Sequence, residues 1–361
     1  MDVLVVNAGS SSLKLSLLDP ADAVLAAAEV DHWDTDEPPA AFTSFIRKLP
    51  GVGAVGHRIV HGGPHLEAAA VIDPKVRRAI EDATDLAPLH QPRALGGIDA
   101  VTALLPGVPA VACFDTAFHA RMPAAASTYA LPAAWRERFG LRRYGFHGLS
   151  HGYAARRAAE MLGRAPERLR IVSCHLGSGA SLAAIAGGRS VDTTMGFTPL
   201  EGLVMSTRAG NTDPGLLLWL LRDGGMGLGE LASGLERRSG LAGLCGLPDM
   251  RDVIQAADAD QPDAELALDV YLHRLRQLIA GMAAALDGVE VIVFTGGVGE
   301  HQPLVRSRAV PGFLGAALDE RRNEAAAGDA NISAAGSAVA TLVITSREDI
   351  EIARQVRAVL G

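Results

Sequence analysis

Two arginines stand in glycine- and hydroxyl-rich stretches, a setting suited to gripping a phosphate or a carboxylate. Arg208 lies in Met205-Ser-Thr-Arg-Ala-Gly-Asn-Thr-Asp-Pro214, downstream of Asp192-Thr-Thr-Met-Gly-Phe-Thr-Pro-Leu-Glu-Gly202. Arg58 lies in Gly56-His-Arg-Ile-Val-His-Gly-Gly63. Glycine backbone lets a ligand come close, and the planar guanidinium offers a fork of donors to an oxyanion. Two such arginines suggest the clamping of a transferring phosphoryl group.

Other residue types with chemical potential surround them. Asn7-Ala-Gly-Ser-Ser-Ser-Leu-Lys14 places an amide, three hydroxyls and an ammonium around a turn, a set able to hold phosphate oxygens or to form a plain polar turn. Asp115 ends the apolar run Val111-Ala-Cys-Phe-Asp115. A carboxylate there is costly unless paired or functional, so it orients an arginine, handles a proton or caps a helix or turn. His147 in Tyr144-Gly-Phe-His-Gly-Leu-Ser-His151 could donate to a developing charge, whereas His151 reads as structural. Glu348-Asp349 follows a strand and opens the last helix, where a carboxylate either reaches a hydrated Mg²⁺ or complements the helix dipole. His57, His61 and His65 do not form a zinc set, because Gly62-Gly63-Pro64 breaks any shared helix and no Cys or H-E-x-x-H pattern accompanies them.

The elements that must position these groups are legible as alternating strands and helices. Asp2–Asn7 and Leu13–Leu18 form a hairpin across a Gly/Ser tip, and Leu169–His175 with Ser181–Ala186 form a second one across Leu176-Gly-Ser-Gly-Ala180. One such hairpin opens each half, which implies an internal duplication and two similar domains. The strand Glu290–Thr295 ends in Gly296-Gly-Val-Gly299 and runs into a helix, either a phosphate-binding turn or a tight connection. Helices are expected at Pro74–Leu86, Gly148–Leu162 and Ala264–Leu286, and strands at Ala54–Val60, Ala110–Phe114 and Thr341–Thr345, giving an α/β class. The stripe Leu268, Tyr271, Leu275, Ile279, Met282 and Leu286 reads as packing. Ala325–Ala340 is rich in small residues and reads as a mobile surface segment.

Bulk properties narrow the function. The 361 residues suffice for two cores, and 48% hydrophobic with 20% charged residues is a globular composition. A formal charge of −8 argues against nucleic-acid binding, no apolar run is long enough to cross a membrane, and the first residues lack a signal-peptide plan. The three cysteines, widely spaced, read as reduced residues of a cytoplasmic protein.

Taken together, these motifs resemble the acetate kinase (acetokinase) family, which includes propionate and butyrate kinases. The resemblance runs over essentially the whole chain and keeps motif order: Asn7–Lys14, His57–Gly63, Pro88–His90, Phe114–His119, Tyr144–Gly148, His175–Gly179, Asp192–Gly202, Thr207–Gly210, Asp249–Asp252, Gly296–Glu300 and Glu348–Arg354. It implies a duplicated actin/Hsp70/sugar-kinase-like (ribonuclease H-like) fold with an interdomain active-site cleft. Residues 1–149 plus 349–361 would form the acyl- and phosphate-side domain and 150–348 the nucleotide-side domain. It also implies reversible transfer of the ATP γ-phosphoryl group to a short carboxylate. On this match Arg58, Asp115, His147 and Arg208 are the catalytic set. Arg58, Val60, Leu89, Phe146 and Pro199 meet the acyl substrate. Ser10, Ser12 and Lys14, with His175, Leu176, Gly177, Ser178 and Gly179, meet phosphates, while Asp249, Met250, Arg251, Gly297, Val298, Gly299, Glu300 and His301 hold the nucleoside. Asn7 and Glu348 serve Mg²⁺, with Mn²⁺ as its substitute. The implied partners are a small carboxylate and ATP/ADP, with neither nucleic acid nor membrane, in a homodimer.

The chain departs from the family pattern at Ser178, His301, Gln91, Ser206 and Asn211, where Asn, Asn, Asn, Gly and Asp are expected, and Asp19–Gly56 is shortened. None of these removes a proposed catalytic group, though Ser178 and His301 bear on the choice of phosphoryl donor. A longer acid such as propionate or butyrate is the neighbouring reading, because one methylene changes binding by only about 1–3 kcal/mol. A non-catalytic actin-like nucleotide-binding module and a metal-dependent hydrolase are the readings from other classes.

Overall fold

The computed structural model of the chain describes residues 1–8, 12–31, 39–88, 90–310 and 312–361. They form two compact units, the first Met1–Arg121, Phe146–Tyr153 and Arg347–Gly361, the second Met122–Gly145 and Ala154–Ser346.

Unit 1 is built on a six-stranded sheet of β1 (Val3–Ala8), β2 (Ser12–Leu18), β3 (Val24–Asp31), β4 (Ala54–Ile59), β5 (Ala70–Val71) and β6 (Ala110–Phe114), in the order β3-β2-β1-β4-β6-β5. β1, β2 and β3 are an antiparallel meander, and β1, β4 and β6 are parallel. β1 is apolar at nearly every position because both its faces are covered, as central strands require. Leu4 and Val6 join Leu13, Leu15, Leu17, Phe42 and Ile46 on one side. Val3 and Val5 join Val111, Cys113, Ile352, Ala353 and Val356 on the other. The last three come from the helix Glu348–Leu360. Gly56 permits its close approach, since a Cβ there would run into Ile352 Cγ2.

Unit 2 repeats this plan. β7 (Arg170–Leu176), β8 (Ala180–Ala186), β9 (Arg189–Thr193), β10 (Val291–Thr295), β11 (Ala330–Asn331) and β12 (Ala340–Val343) lie in the order β11-β12-β10-β7-β8-β9. Here too a three-stranded meander, β7-β8-β9, continues into two parallel strands and a short antiparallel edge. The duplication read from the two hairpins is therefore a duplication of the whole sheet. The helix Pro262–Ala285 buries Leu268, Tyr271, Leu275, Ile279 and Met282, the stripe expected to pack.

Two local expectations change. The segment Ala325–Ala340 is tied into unit 2: Ile332 is fully buried, its N–H donates to Thr341 O at 3.0 Å and its carbonyl accepts from Asp319 N at 2.9 Å. A buried isoleucine among small residues is enough to anchor it. The helix from Pro74 stops at Asp82 and is followed by a separate 3₁₀ turn, Thr84–Leu86. No helix among the described residues is long and apolar enough to cross a membrane.

Candidate active site

In unit 1 the parallel register brings the chemistry to one end of the sheet. Arg58 stands opposite Cys113 and Ile59 opposite Phe114, and Asp115 N donates to Ile59 O at 2.9 Å. Arg58 and Asp115 thus emerge side by side at the carboxyl ends of β4 and β6, the edge where open α/β sheets bind ligands. Their contact is bidentate, with Nε on Oδ1 at 3.0 Å and Nη2 on Oδ2 at 2.7 Å. Arg58 Nη1 also donates to Asn7 Oδ1 at 3.1 Å and lies 3.5 Å from Glu348 Oε2. Asn7 Nδ2 donates to that same Glu348 oxygen at 2.8 Å. Burial opposes the Arg58 charge, but Asp115 and Glu348 more than compensate, so the guanidinium is held above its ordinary range. Burial pushes the Asp115 carboxyl up against the pull of Arg58; the two-point contact and the upward shift of Arg58 keep the pair ionised.

His147 enters this group through its backbone. It is left-handed, at φ 55°, a conformation a histidine adopts at a cost. The turn aims its N–H at the Asp115 carboxylate and lets Gly148 N donate to Asp115 O at 3.0 Å, starting the helix Gly148–Leu162. Gly148 is required, because a Cβ there would strike Asp115 O and Phe118. Val60 and Phe146 are buried nearby, and the Phe146 ring meets His61 edge-on at 5.5 Å. His151 is fully buried with its ring 5.8 Å from that of His119, a structural placement. Lys14 is exposed and pairs with Glu29 at 3.8 Å. Ser10, Leu89 and the side chain of Ser12 lie outside the described residues. Asn7 and Glu348 supply hard oxygen donors of the kind Mg²⁺ takes when a carboxylate shares it with substrate phosphates and water. They do not amount to a complete protein cage, and no cluster of three or more His, Cys, Asp or Glu side chains suited to a metal occurs among the described residues.

Unit 2 holds a cavity of about 510 Å³ lined by Gly177, Ser178, Asp249, Met250, Arg251, Gly297, Val298 and His301, together with Ser206, Thr207, Pro248 and Gln302. The tip of the β7-β8 hairpin and the start of the helix after β10 meet here. Gly296, at φ 78°, brings that helix against the hairpin, and a Cβ there would press on the Leu176 carbonyl. Asp249 caps the helix Met250–Asp258 by accepting Arg251 N at 2.9 Å, and the Arg251 side chain on it draws its carboxyl below the ordinary range. Gly299 and Glu300 do not line the cavity: Glu300 Oε1 accepts Gly296 N and Ser346 N, each at 2.9 Å, and so fixes the turn. His175, Leu176 and Gly179 build the hairpin behind Gly177 and Ser178. Ser206 and Thr207 stand in or beside the Thr207–Gly210 motif but were not assigned to this cavity, and Pro248 and Gln302, which adjoin Asp249 and His301, were not singled out.

Arg208 is also in unit 2, and its surroundings are unlike those of Arg58. Among the described residues it forms no ion pair. Its Nη1 donates to Pro199 O at 3.2 Å and approaches Met205 Sδ at 3.8 Å. Burial lowers this guanidinium below its ordinary range, an effect the charge of Glu236 only partly offsets. Such a group gains most from an arriving anion.

The repeated sheet, with polar loops at the carboxyl ends of its parallel strands, defines a protein of the duplicated actin/Hsp70/sugar-kinase-like class. A sequence profile of the acetokinase family matches residues 40–354. The chain is 46% identical to an acetate kinase from Clavibacter sepedonicus over 99% of both chains, and 42% identical to one from Acetivibrio thermocellus over 98% of both. Its structure matches that of Porphyromonas gingivalis acetate kinase with a TM-score of 0.90 at 36% identity, covering 100% of both chains. A propionate kinase from Francisella tularensis also matches with a TM-score of 0.90, at 32% identity over 99% of both. The chain belongs to the acetokinase family.

Proposed function

We propose that the chain transfers the γ-phosphoryl group of ATP reversibly to acetate, by direct in-line displacement, giving acetyl phosphate and ADP. The observation that carries this reading is Arg208, a half-buried guanidinium held by a neutral carbonyl and left uncompensated by any ion pair among the described residues. Acetate is ionised at neutral pH and needs no general base. The obstacle is charge: two unit charges about 4 Å apart repel by roughly 4 kcal/mol at an effective dielectric near 20. Arg208 and Arg58 offset that repulsion and the charge of the transferring group, and His147 donates to it. Asp115 orients Arg58, a role its bidentate contact supports.

Val60, Leu89, Phe146 and Pro199 are the residues assigned to the methyl group by their match to the family motifs. Ser10, Ser12, Lys14 and the hairpin His175–Gly179 hold phosphate oxygens, while Asp249, Met250, Arg251 and Gly297–His301 hold the nucleoside. Asn7 and Glu348 would hold Mg²⁺, or Mn²⁺ in its place, and the bound ion would neutralise phosphate charge. In this reading residues 1–149 plus 349–361 serve mainly the acyl side and 150–348 mainly the nucleotide side; the compact units draw the line elsewhere, with Met122–Gly145 in the second unit. The protein acts in the cytoplasm as a homodimer, and the exposed Leu216, Leu218, Trp219 and Leu228 of unit 2 suit such an interface. The likeness to a propionate kinase keeps a three-carbon acid as the second reading. Trapping acyl phosphate with hydroxylamine, over two- to four-carbon acids and with ATP, GTP and pyrophosphate as donors, tests both. Acetate with ATP gives the largest kcat/KM; failure to form any acyl hydroxamate overturns the assignment.

A further inference from the structure

The loop that presents Pro199 to Arg208 is itself held by three side chains that the reading above leaves unused. Arg143 Nη1 donates to three successive carbonyls, Thr193 at 3.2 Å and Thr194 and Met195 each at 3.1 Å. Its Nη2 donates to Glu201 Oε1 at 2.5 Å. The other Glu201 oxygen accepts the Tyr129 hydroxyl at 2.6 Å, and that hydroxyl accepts Phe197 N at 2.8 Å. Gly196 sits in the middle of this network, and a Cβ there would collide with Glu201 Oε2 and Tyr129 Oη. Its carbonyl accepts Tyr144 N at 3.1 Å and Gly145 N at 3.3 Å.

Packing covers only part of this loop: Thr193, Thr194 and Met195 are buried, while Phe197–Glu201 are half-buried. A cavity of about 480 Å³ adjoins the loop, with Tyr129, Thr198, Leu200, Glu201, Gly210 and Asn211 among its lining. Residues Thr193–Phe197 and Glu201 are held by this network, with burial and the bonds of Thr193 and Thr194 to Leu182 adding to it at one end, and Pro199 is the crest of the short span between them. Arg208 is pinned at its backbone from the other side. Gly202 N donates to Asn211 Oδ1 at 2.8 Å, Asn211 N donates to Gly202 O at 3.0 Å, and Met205 N donates to Arg208 O at 3.0 Å. Of the side-chain contacts left to set the direction of the guanidinium, that with the Pro199 carbonyl at 3.2 Å is shorter than that with Met205 Sδ at 3.8 Å.

We propose that Tyr129, Arg143 and Glu201 are positioning residues that place the Pro199 carbonyl and through it aim Arg208. A carboxylate in place of that carbonyl would hold the guanidinium more tightly but cancel its charge. A neutral carbonyl on a hydrogen-bonded strap directs it and leaves the charge for the substrate. Arginine carries about 2 kcal/mol of rotamer freedom, and a misplacement of about 1 Å can cost roughly 10²-fold in rate. This inference rests on the proposed role of Arg208 in phosphoryl transfer.

The test is a double-mutant cycle in the full-length protein, Tyr129→Phe with Arg208→Ala, read as kcat and KM for acetate and ATP by hydroxamate formation and as urea unfolding. In the parent chain Tyr129→Phe is expected to lower kcat about tenfold, with both KM values within about twofold. In the Arg208→Ala background it changes kcat by less than about twofold, since nothing remains to be aimed. Arg143→Lys, which keeps a cation but cannot reach three carbonyls and a carboxylate together, follows the same pattern. An equal loss in both backgrounds, or a rise in KM without a fall in kcat, overturns the positioning role while leaving phosphoryl transfer intact. A parent chain that forms no acyl phosphate overturns the role of Arg208 itself and this inference with it.

Discussion

Arg58 and Arg208 are the same side chain put to work under opposite electrostatic conditions. Arg58 in unit 1 is matched by a bidentate carboxylate and a second one at 3.5 Å, and its charge is reinforced. Arg208 in unit 2 rests on a carbonyl, and burial works against its charge. A guanidinium that is already paired recovers its burial cost within the fold and is rigidly placed. One that is not paired costs the fold something and recovers it when an anion binds. The contrast separates a residue that belongs to the architecture of its site from one whose charge is held ready for a ligand.

The contrast is sharpest under truncation. Arg208→Ala should lower kcat for acyl phosphate formation by roughly 10³-fold or more, with folding stability unchanged or slightly raised. Arg58→Ala should lower kcat as well, and in addition lose about 3–5 kcal/mol of stability, because it strands Asp115 as a buried, unpaired charge. Urea unfolding beside steady-state kinetics separates the two, and equal stability for both variants would dissolve the distinction. A smaller effect is expected from Gly148→Ala, whose Cβ would press on the Asp115 carbonyl and Phe118. A loss of about 1–3 kcal/mol, with kcat falling further than for an alanine at exposed Gly229, would show that this turn places Asp115.

A pH dependence arising from unit 1 makes the same comparison without a mutation. Burial lowers His57 to about 3 and His61 and His119 to about 4. Unfolded histidines titrate near 6.5, so above that pH these three add no pH dependence. As pH falls from about 6.5 toward 4 the unfolded chain takes up protons that the folded chain refuses. Stability should then decline by as much as about 1.4 kcal/mol per pH unit for each histidine. Hydrogen exchange corrected for intrinsic rates checks this. Amides of β1 and β4 should lose more protection between pH 7 and pH 5.5 than those of β7 and β10, and equal losses would refute it.

Much of this was readable in the sequence where a local signal existed. The hairpins announced themselves through apolar runs broken by Gly and Ser, and the whole-sheet repeat followed from them. β3 was not expected, because Val24-Leu-Ala-Ala-Ala-Glu-Val-Asp31 is alanine-rich, carries its β-branched residues only near its ends and lacks clean alternation; it is held as a strand by its pairing with β2. Arg58 and Asp115 were recognisable as residue types, but their bidentate contact depends on the register of two parallel strands far apart in sequence. Tyr129 and Arg143 gave no signal, since nothing near either one predicts that they converge on Glu201.

The helix Glu348–Leu360 lies across the first sheet, yet in the chain it follows all of unit 2. During synthesis the apolar surface of Val3, Val5 and Cys113 must wait with only part of its cover, Leu149, until the chain beyond residue 346 brings Ile352, Ala353 and Val356. Unit 2 has no such delay and can consolidate first. The nascent chain is therefore most vulnerable to aggregation and proteolysis in its earliest-made part, and a late stop codon would strip the first sheet of its cover and of Glu348 together.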